Sequence, residues 1–182
     1  MRVAFDSRPV ADPEGVGRYS RRLLAALGET AAASDQLVQA HRPSALAAAR
    51  NADVFHAPWI DGAMLHSPCP MVVTIHDLAA LKRRSERLRC GGLHLRMRRL
   101  ALQRAVQVIV PNELVATEAV AELGLVRERV TVVPTSPDGD WHDVARATWG
   151  VYARAVAATK AASARPAARL GARTRSSLLR PQ

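Results

Sequence analysis

Along the first 134 residues, short apolar runs alternate with longer stretches of helical period. Arg2–Asp6 (RVAFD), Gln36–Ala40 (QLVQA), Asp53–His56 (DVFH), the run holding Val72, Val73 and Ile75, Gln107–Val110 (QVIV) and Arg129–Val133 (RVTVV) each read as a strand. The run at 72–75 is β-branched, the composition of a strand buried on both faces of a parallel sheet. Between the strands, Tyr19, Leu23, Leu24 and Leu27 recur at helical spacing, with Gly28 as a stop. Pro43–Arg50 is alanine-rich, and residues 88–105 put Leu88, Leu95, Leu102 and Ala105 on one side with arginines elsewhere. Asn112 caps a further helix that Gly124 closes after Leu123. Strands alternating with helices over short connections predict an α/β protein with a doubly wound parallel sheet.

Beyond residue 134 the pattern changes. Residues 135–142 (TSPDGDWH) read as a linker, and Trp149, Tyr152 and Val156 give an apolar stripe to a helix over 143–158. Residues 159–182, rich in Ala, Arg and Ser with Pro166 and Pro181, read as a basic, disordered tail.

Charge sharpens this division. The formal net charge is +10, but residues 82–104 hold nine lysines and arginines against one acid, Glu86, and residues 144–182 hold eight with no acid at all. The remainder is mildly acidic. Two basic segments suit an anionic partner, so peripheral membrane contact through 82–104 is one expectation. Nucleic acid is disfavoured by 4% aromatic content and the lack of a binding motif. No apolar run reaches the roughly 20 residues that span a bilayer, and no leader opens the chain. With two cysteines, Cys69 and Cys90, in no metal-binding pattern, the chain reads as cytoplasmic, or peripheral to the inner face of the membrane. No Gly-x-Ser-x-Gly signals a hydrolase.

Candidate chemistry collects after two of the strands. His76 and Asp77 follow the fourth, and ligands of open α/β sheets bind outside the carboxyl ends of strands. A loop histidine capping the next segment is the plainer alternative. After the first strand, Gly15-Val16-Gly17-Arg18-Tyr19 opens a helix, where glycines let an anion approach free backbone N–H groups. This is not the dinucleotide fingerprint, because Ser20 stands where the third glycine belongs. Trp59 lies in a loop and either lines a sugar or lipid site or packs.

The succession GVGRY, DVFHAP, VVTIHDL, RRLALQRAVQVIVPN and LGLVRERVTVVP resembles the N-terminal half of retaining GT-B glycosyltransferases of family 4. That resemblance implies one Rossmann-like sheet with a C-terminal helix packed back on it. It also implies sugar transfer from a nucleotide-diphosphate donor to a glycan or lipid-linked acceptor, with no cofactor or obligatory metal. Many relatives in this branch are mannosyl- or rhamnosyltransferases of polysaccharide assembly, but these motifs do not name the sugar. Carried over by position, Gly15 and Gly17 approach the donor diphosphate, His76 contacts the donor sugar and aids transfer, and Asp77 orients it. Arg18, Tyr19 and Trp59 are candidates for acceptor contact.

The resemblance breaks after Pro134, where such proteins continue into a second, donor-binding domain. Here the chain passes directly to HDVARATWGVYARAV, which resembles the family's C-terminal helix. A lone half-site is expected to be a weak or inactive transferase and to self-associate through surface the second domain would cover. The alternative is a non-catalytic module docked on an anionic membrane or acidic partner.

Overall fold

In the computed structural model, which describes residues 1–41, 45–78, 91–135 and 139–176, six strands run parallel in one sheet. They are β1 (Arg2–Asp6), β2 (Gln36–Ala40), β3 (Val54–Ala57), β4 (Met71–Thr74), β5 (Gln107–Val110) and β6 (Val130–Val132), in the spatial order β2-β1-β3-β4-β5-β6. Among the described residues five α-helices accompany them, four between strands and the last after β6: α1 (Gly15–Thr30), α2 (Ala45–Arg50), α3 (Gly91–Gln103), α4 (Glu113–Leu123) and α5 (Trp141–Ser176).

Side-chain alternation sorts the strands between two cores. Val3, Phe5, Val54, Val72 and Ile109 pack with Leu23 and Leu27 of α1 and with Val151, Tyr152 and Ala155 of α5. Ala4, Phe55, Val73, Val108 and Val110 face the other way, onto Ala49 of α2, Leu102 of α3 and Ala116 and Ala119 of α4. Both faces of the sheet are therefore covered, which is why β3, β4 and β5 are buried at every position. This is the doubly wound α/β fold, Rossmann-like, with the last helix packed back on it.

Local signals set both ends of α4. The Asn112 side chain accepts a hydrogen bond from Val115 N at 2.9 Å, and Gly124, at φ 66°, closes α4. Gly28, by contrast, does not stop α1, which runs on to Thr30. Its backbone stays helical because Ala26 and Leu27 beside it are held in the core.

The C-terminal expectation also needs correction. The helix expected over 143–158 begins at Trp141 and continues to Ser176, through most of the segment read as a disordered tail. Alanines at 157, 158, 161 and 162 extend it by propensity alone, since residues 161–164 are exposed. Residues 177–182 lie outside the described residues.

The first part of the basic segment over 82–104, residues 82–90 with Leu88 and Cys90, likewise lies outside them. Within α3, Arg98 pairs with Asp61 at 3.1 Å and Arg99 donates to Leu123 O at 3.2 Å, while Leu93, Met97 and Leu100 are exposed. No described helix is long and apolar enough to cross a membrane.

Candidate functional site

At the carboxyl edge of the sheet, the β1–α1 connection and the end of β4 meet. Gly15 takes φ 51°, in the left-handed region where a side chain is strained, and α1 starts there with no side chain capping its first turn. Gly15, Arg18, Tyr19, Arg22, His76, Thr135 and Trp141 line an open depression of about 200 Å3. Strand β4 delivers His76 to it through Ile75, whose N–H donates to Ile109 O at 2.9 Å. His76 Nε2 lies 2.9 Å from Pro58 O, so that nitrogen donates and Nδ1 is left as the acceptor of a neutral ring. Burial lowers the His76 pKa, against smaller opposing effects of the Pro58 carbonyl and Asp77, and so favours the neutral form.

The ring of His76 stands edge-on to Tyr19 at 4.4 Å between centroids, and Tyr19 stands edge-on to Trp141 at 5.6 Å. The Arg22 guanidinium lies 5.8 Å from the Trp141 ring. Two polar atoms here are buried without a partner in hydrogen-bonding geometry, the Tyr19 hydroxyl and Trp141 Nε1. Burial pushes the Tyr19 hydroxyl up to about 12, and Thr74, which it faces, offsets this only in part.

Beneath the depression, β3 and β4 are tied to the last helix. His56, fully buried, lies with Nδ1 2.6 Å from the Tyr152 hydroxyl of α5 and Nε2 2.9 Å from Thr74 Oγ1 of β4. Burial, with a smaller contribution from His76, depresses the pKa of His56 to about 3, so it is a neutral hydrogen-bonding strut. The sequence places His56 at the end of a strand; the structure extends β3 to Ala57 and turns His56 into the core.

A second hollow opens beside the first, between the carboxyl ends of β1 and β3. Open to solvent like the first, it measures about 630 Å3 among Ser7, Arg8, Val10, Ala11, His41 and Trp59. At its base Asp6, fully buried, accepts from Arg8 Nε at 2.7 Å, Arg8 Nη2 at 2.6 Å, Arg8 N at 3.2 Å and Trp59 Nε1 at 3.0 Å. A side chain at Gly62 would overlap both the Trp59 indole and the Asp6 carboxylate, so this glycine makes room for their contact.

The seven residues singled out in the sequence thus separate. Gly15, Arg18, Tyr19 and His76 share the depression, whereas Asp77, the next residue along, is exposed and does not line it. Gly17 is buried on the other side of α1, where a Cβ would collide with the carbonyl oxygens of Pro9 and Asp12. It seats the preceding loop and does not face the depression. Trp59 belongs to the second hollow. The sequence reading missed Trp141, Arg22 and the Asp6–Arg8 pair; an acidic strand end followed two residues later by arginine was the only signal for the last. Among the described residues, no group of three or more His, Cys, Asp or Glu side chains is placed to hold a metal ion.

Compared with known proteins, residues 11–140 match the sequence model of the family described as Glycosyltransferase Family 4. The match ends where α5 is about to begin. No curated protein matches the chain.

Proposed function

We propose, from the premise that this chain belongs to glycosyltransferase family 4, that it serves sugar transfer from a nucleotide-diphosphate donor to a glycan or lipid-linked acceptor, as one half of a two-part site. One observation carries the reading: His76, at the end of β4, shares a depression with Gly15, whose positive φ opens α1. In such a transfer the bond between the anomeric carbon and the diphosphate breaks, and negative charge grows on the leaving group. The first-turn N–H groups of α1, with Arg18 and Arg22 beside them, supply positive potential where that charge would collect. His76, with Nε2 committed to Pro58, offers Nδ1 to a sugar hydroxyl, and the negative charge of Asp77 opposes, without outweighing, the burial that keeps the ring neutral.

An open depression of about 200 Å3 is smaller than the roughly 300–1,000 Å3 of sites that enclose a drug-sized ligand. Water also weakens electrostatic help in such a setting. We therefore assign the remaining donor contacts to a second unit that closes over this edge, and expect the chain alone to turn over slowly or not at all. Calorimetric titration with UDP- and GDP-sugars tests the reading. Saturable binding with a Kd of about a millimolar, or about −4 kcal/mol, abolished in His76→Ala, is the expected result. No binding across the panel overturns the donor site, and rapid turnover with no second protein present overturns the two-part site.

A further inference from the structure

Helix α1 presents two different faces near its start. Gly15, Arg18 and Arg22 line the depression, whereas Gly17 and Arg21, one helical turn apart, face the loop that precedes the helix. That loop, from Ser7 to Glu14, contains Pro9 and Pro13, which have no N–H to donate. Its own bonds are few: Val10 N donates to Ser7 O at 3.0 Å, Asp12 N to Pro9 O at 2.9 Å, and Glu14 N to the Asp12 carboxylate at 3.0 Å. The carbonyls of Val10, Asp12 and Pro13 take no part in this set.

Arg21 gathers all three. Its Nη1 donates to Val10 O at 2.6 Å and to Asp12 O, and its Nη2 donates to Pro13 O at 2.8 Å. Hydrogen bonds from a charged donor are about twice as strong as neutral ones, and the planar guanidinium fixes the direction of each. Gly17 completes the seat, since a Cβ there would overlap the carbonyl oxygens of Pro9 and Asp12. The loop is thus drawn onto α1 by Arg21 and admitted by Gly17.

This clamp governs what the start of α1 offers. Gly17 N and Arg18 N both turn to Glu14 O, at 3.0 and 3.4 Å, which leaves the N–H groups of Gly15 and Val16 without an acceptor among the described residues. Carbonyls free to turn beside those donors would oppose an arriving anion with their negative ends, and a guanidinium that holds them prevents this. We propose that Arg21 is a positioning residue of this edge, holding residues 10–13 on α1 and so keeping the Gly15 and Val16 N–H groups open to the depression. As the support of a diphosphate site this rests on the glycosyltransferase reading, whereas the clamp itself does not. Arg21 does not line the depression, so its geometry matters there more than its charge.

The test replaces Arg21 in the whole chain, as Arg21→Lys and Arg21→Gln, and reads two signals by NMR. The first is amide exchange of Asp12, Glu14 and Gly17, whose N–H groups are bonded within the loop, against that of Val73 and Ile109 in the sheet. Both variants are expected to speed exchange in the loop by about tenfold or more and to leave the sheet unchanged. The second is the shift of the Gly15 and Val16 N–H resonances on adding UDP or inorganic pyrophosphate. It is expected to saturate in wild type and to need about tenfold more ligand in either variant. Lysine keeps the charge, so Arg21→Lys binding these anions as well as wild type overturns the assignment, as does loop exchange that stays at the wild-type rate. Faster exchange in loop and sheet alike also overturns it, because that marks a general loss of stability. Faster loop exchange in a chain whose Gly15 ignores both anions removes the donor site alone and leaves the clamp standing.

Discussion

The hollow beside β1 and the depression beside α1 lie on the same edge of the sheet, yet their buried polar groups are treated differently. In the first, Asp6 receives four hydrogen bonds from Arg8 and Trp59. In the second, the Tyr19 hydroxyl and Trp141 Nε1 are buried and unmet. An unmet buried polar group costs about 1–3 kcal/mol, and native structures keep few of them. The first hollow is thus held by hydrogen bonds among its own side chains, and the second is not.

The contrast breaks most visibly at Asp6. Asp6→Ala leaves the Arg8 guanidinium and the Trp59 N–H without their acceptor, and removing one partner of a buried pair costs about 3–5 kcal/mol. Arg8 is about one-fifth exposed, so the lower end is expected in urea unfolding. A loss below about 1 kcal/mol would mean that the hollow is not held by this cluster.

Next in size is the strut beneath the depression. The folded pKa of His56, about 3, lies below its unfolded value near 6.5, so on acidification the unfolded chain takes up the proton first. Its contribution is complete above about pH 6.5 and is lost as pH falls toward 3, at up to about 1.4 kcal/mol per pH unit. Wild type is thus expected to lose roughly 2 kcal/mol relative to His56→Asn by pH 5. Parallel unfolding curves for the two proteins would show that His56 is not held neutral. His142 works in the opposite direction: bonding to Glu29 and then Asp140 raises its pKa, so its contribution is present at low pH and fades as pH rises. It is a surface group, screened by water.

The smallest effect sharpens the comparison most. Tyr19→Phe removes a buried hydroxyl that faces Thr74 outside hydrogen-bonding geometry, while keeping the ring against His76 and Trp141. Stability is expected to stay within about 0.5 kcal/mol of wild type or to rise. A loss of more than about 1 kcal/mol would assign the hydroxyl a bond and end the contrast.

The strands were legible in sequence because a parallel sheet covered on both faces demands near-continuous apolar runs, as at 71–75, interrupted only by Thr74, and at 108–110. The ends of α4 were legible because Asn112 and Gly124 act on their own backbone. Gly28 misled for the complementary reason: a glycine is a stop only where the chain is free to leave the helix, and the core packing of α1 denied that. Gly15 and Gly17 look equivalent in sequence, yet only the structure shows one facing a depression and the other wedged under two carbonyls.

What the sequence determined by itself is thus the local order: strand and helix periods, caps, the family motifs and the placing of His76 after a central strand. Those follow from forces acting within a few residues. The tertiary structure decided which distant groups meet, bringing Tyr152 to His56 across 96 positions and Trp59 to Asp6 across 53. Such pairings leave no period in the chain, because they are set by how the α1 and α5 faces and the reversal of strand order at β1 pack together.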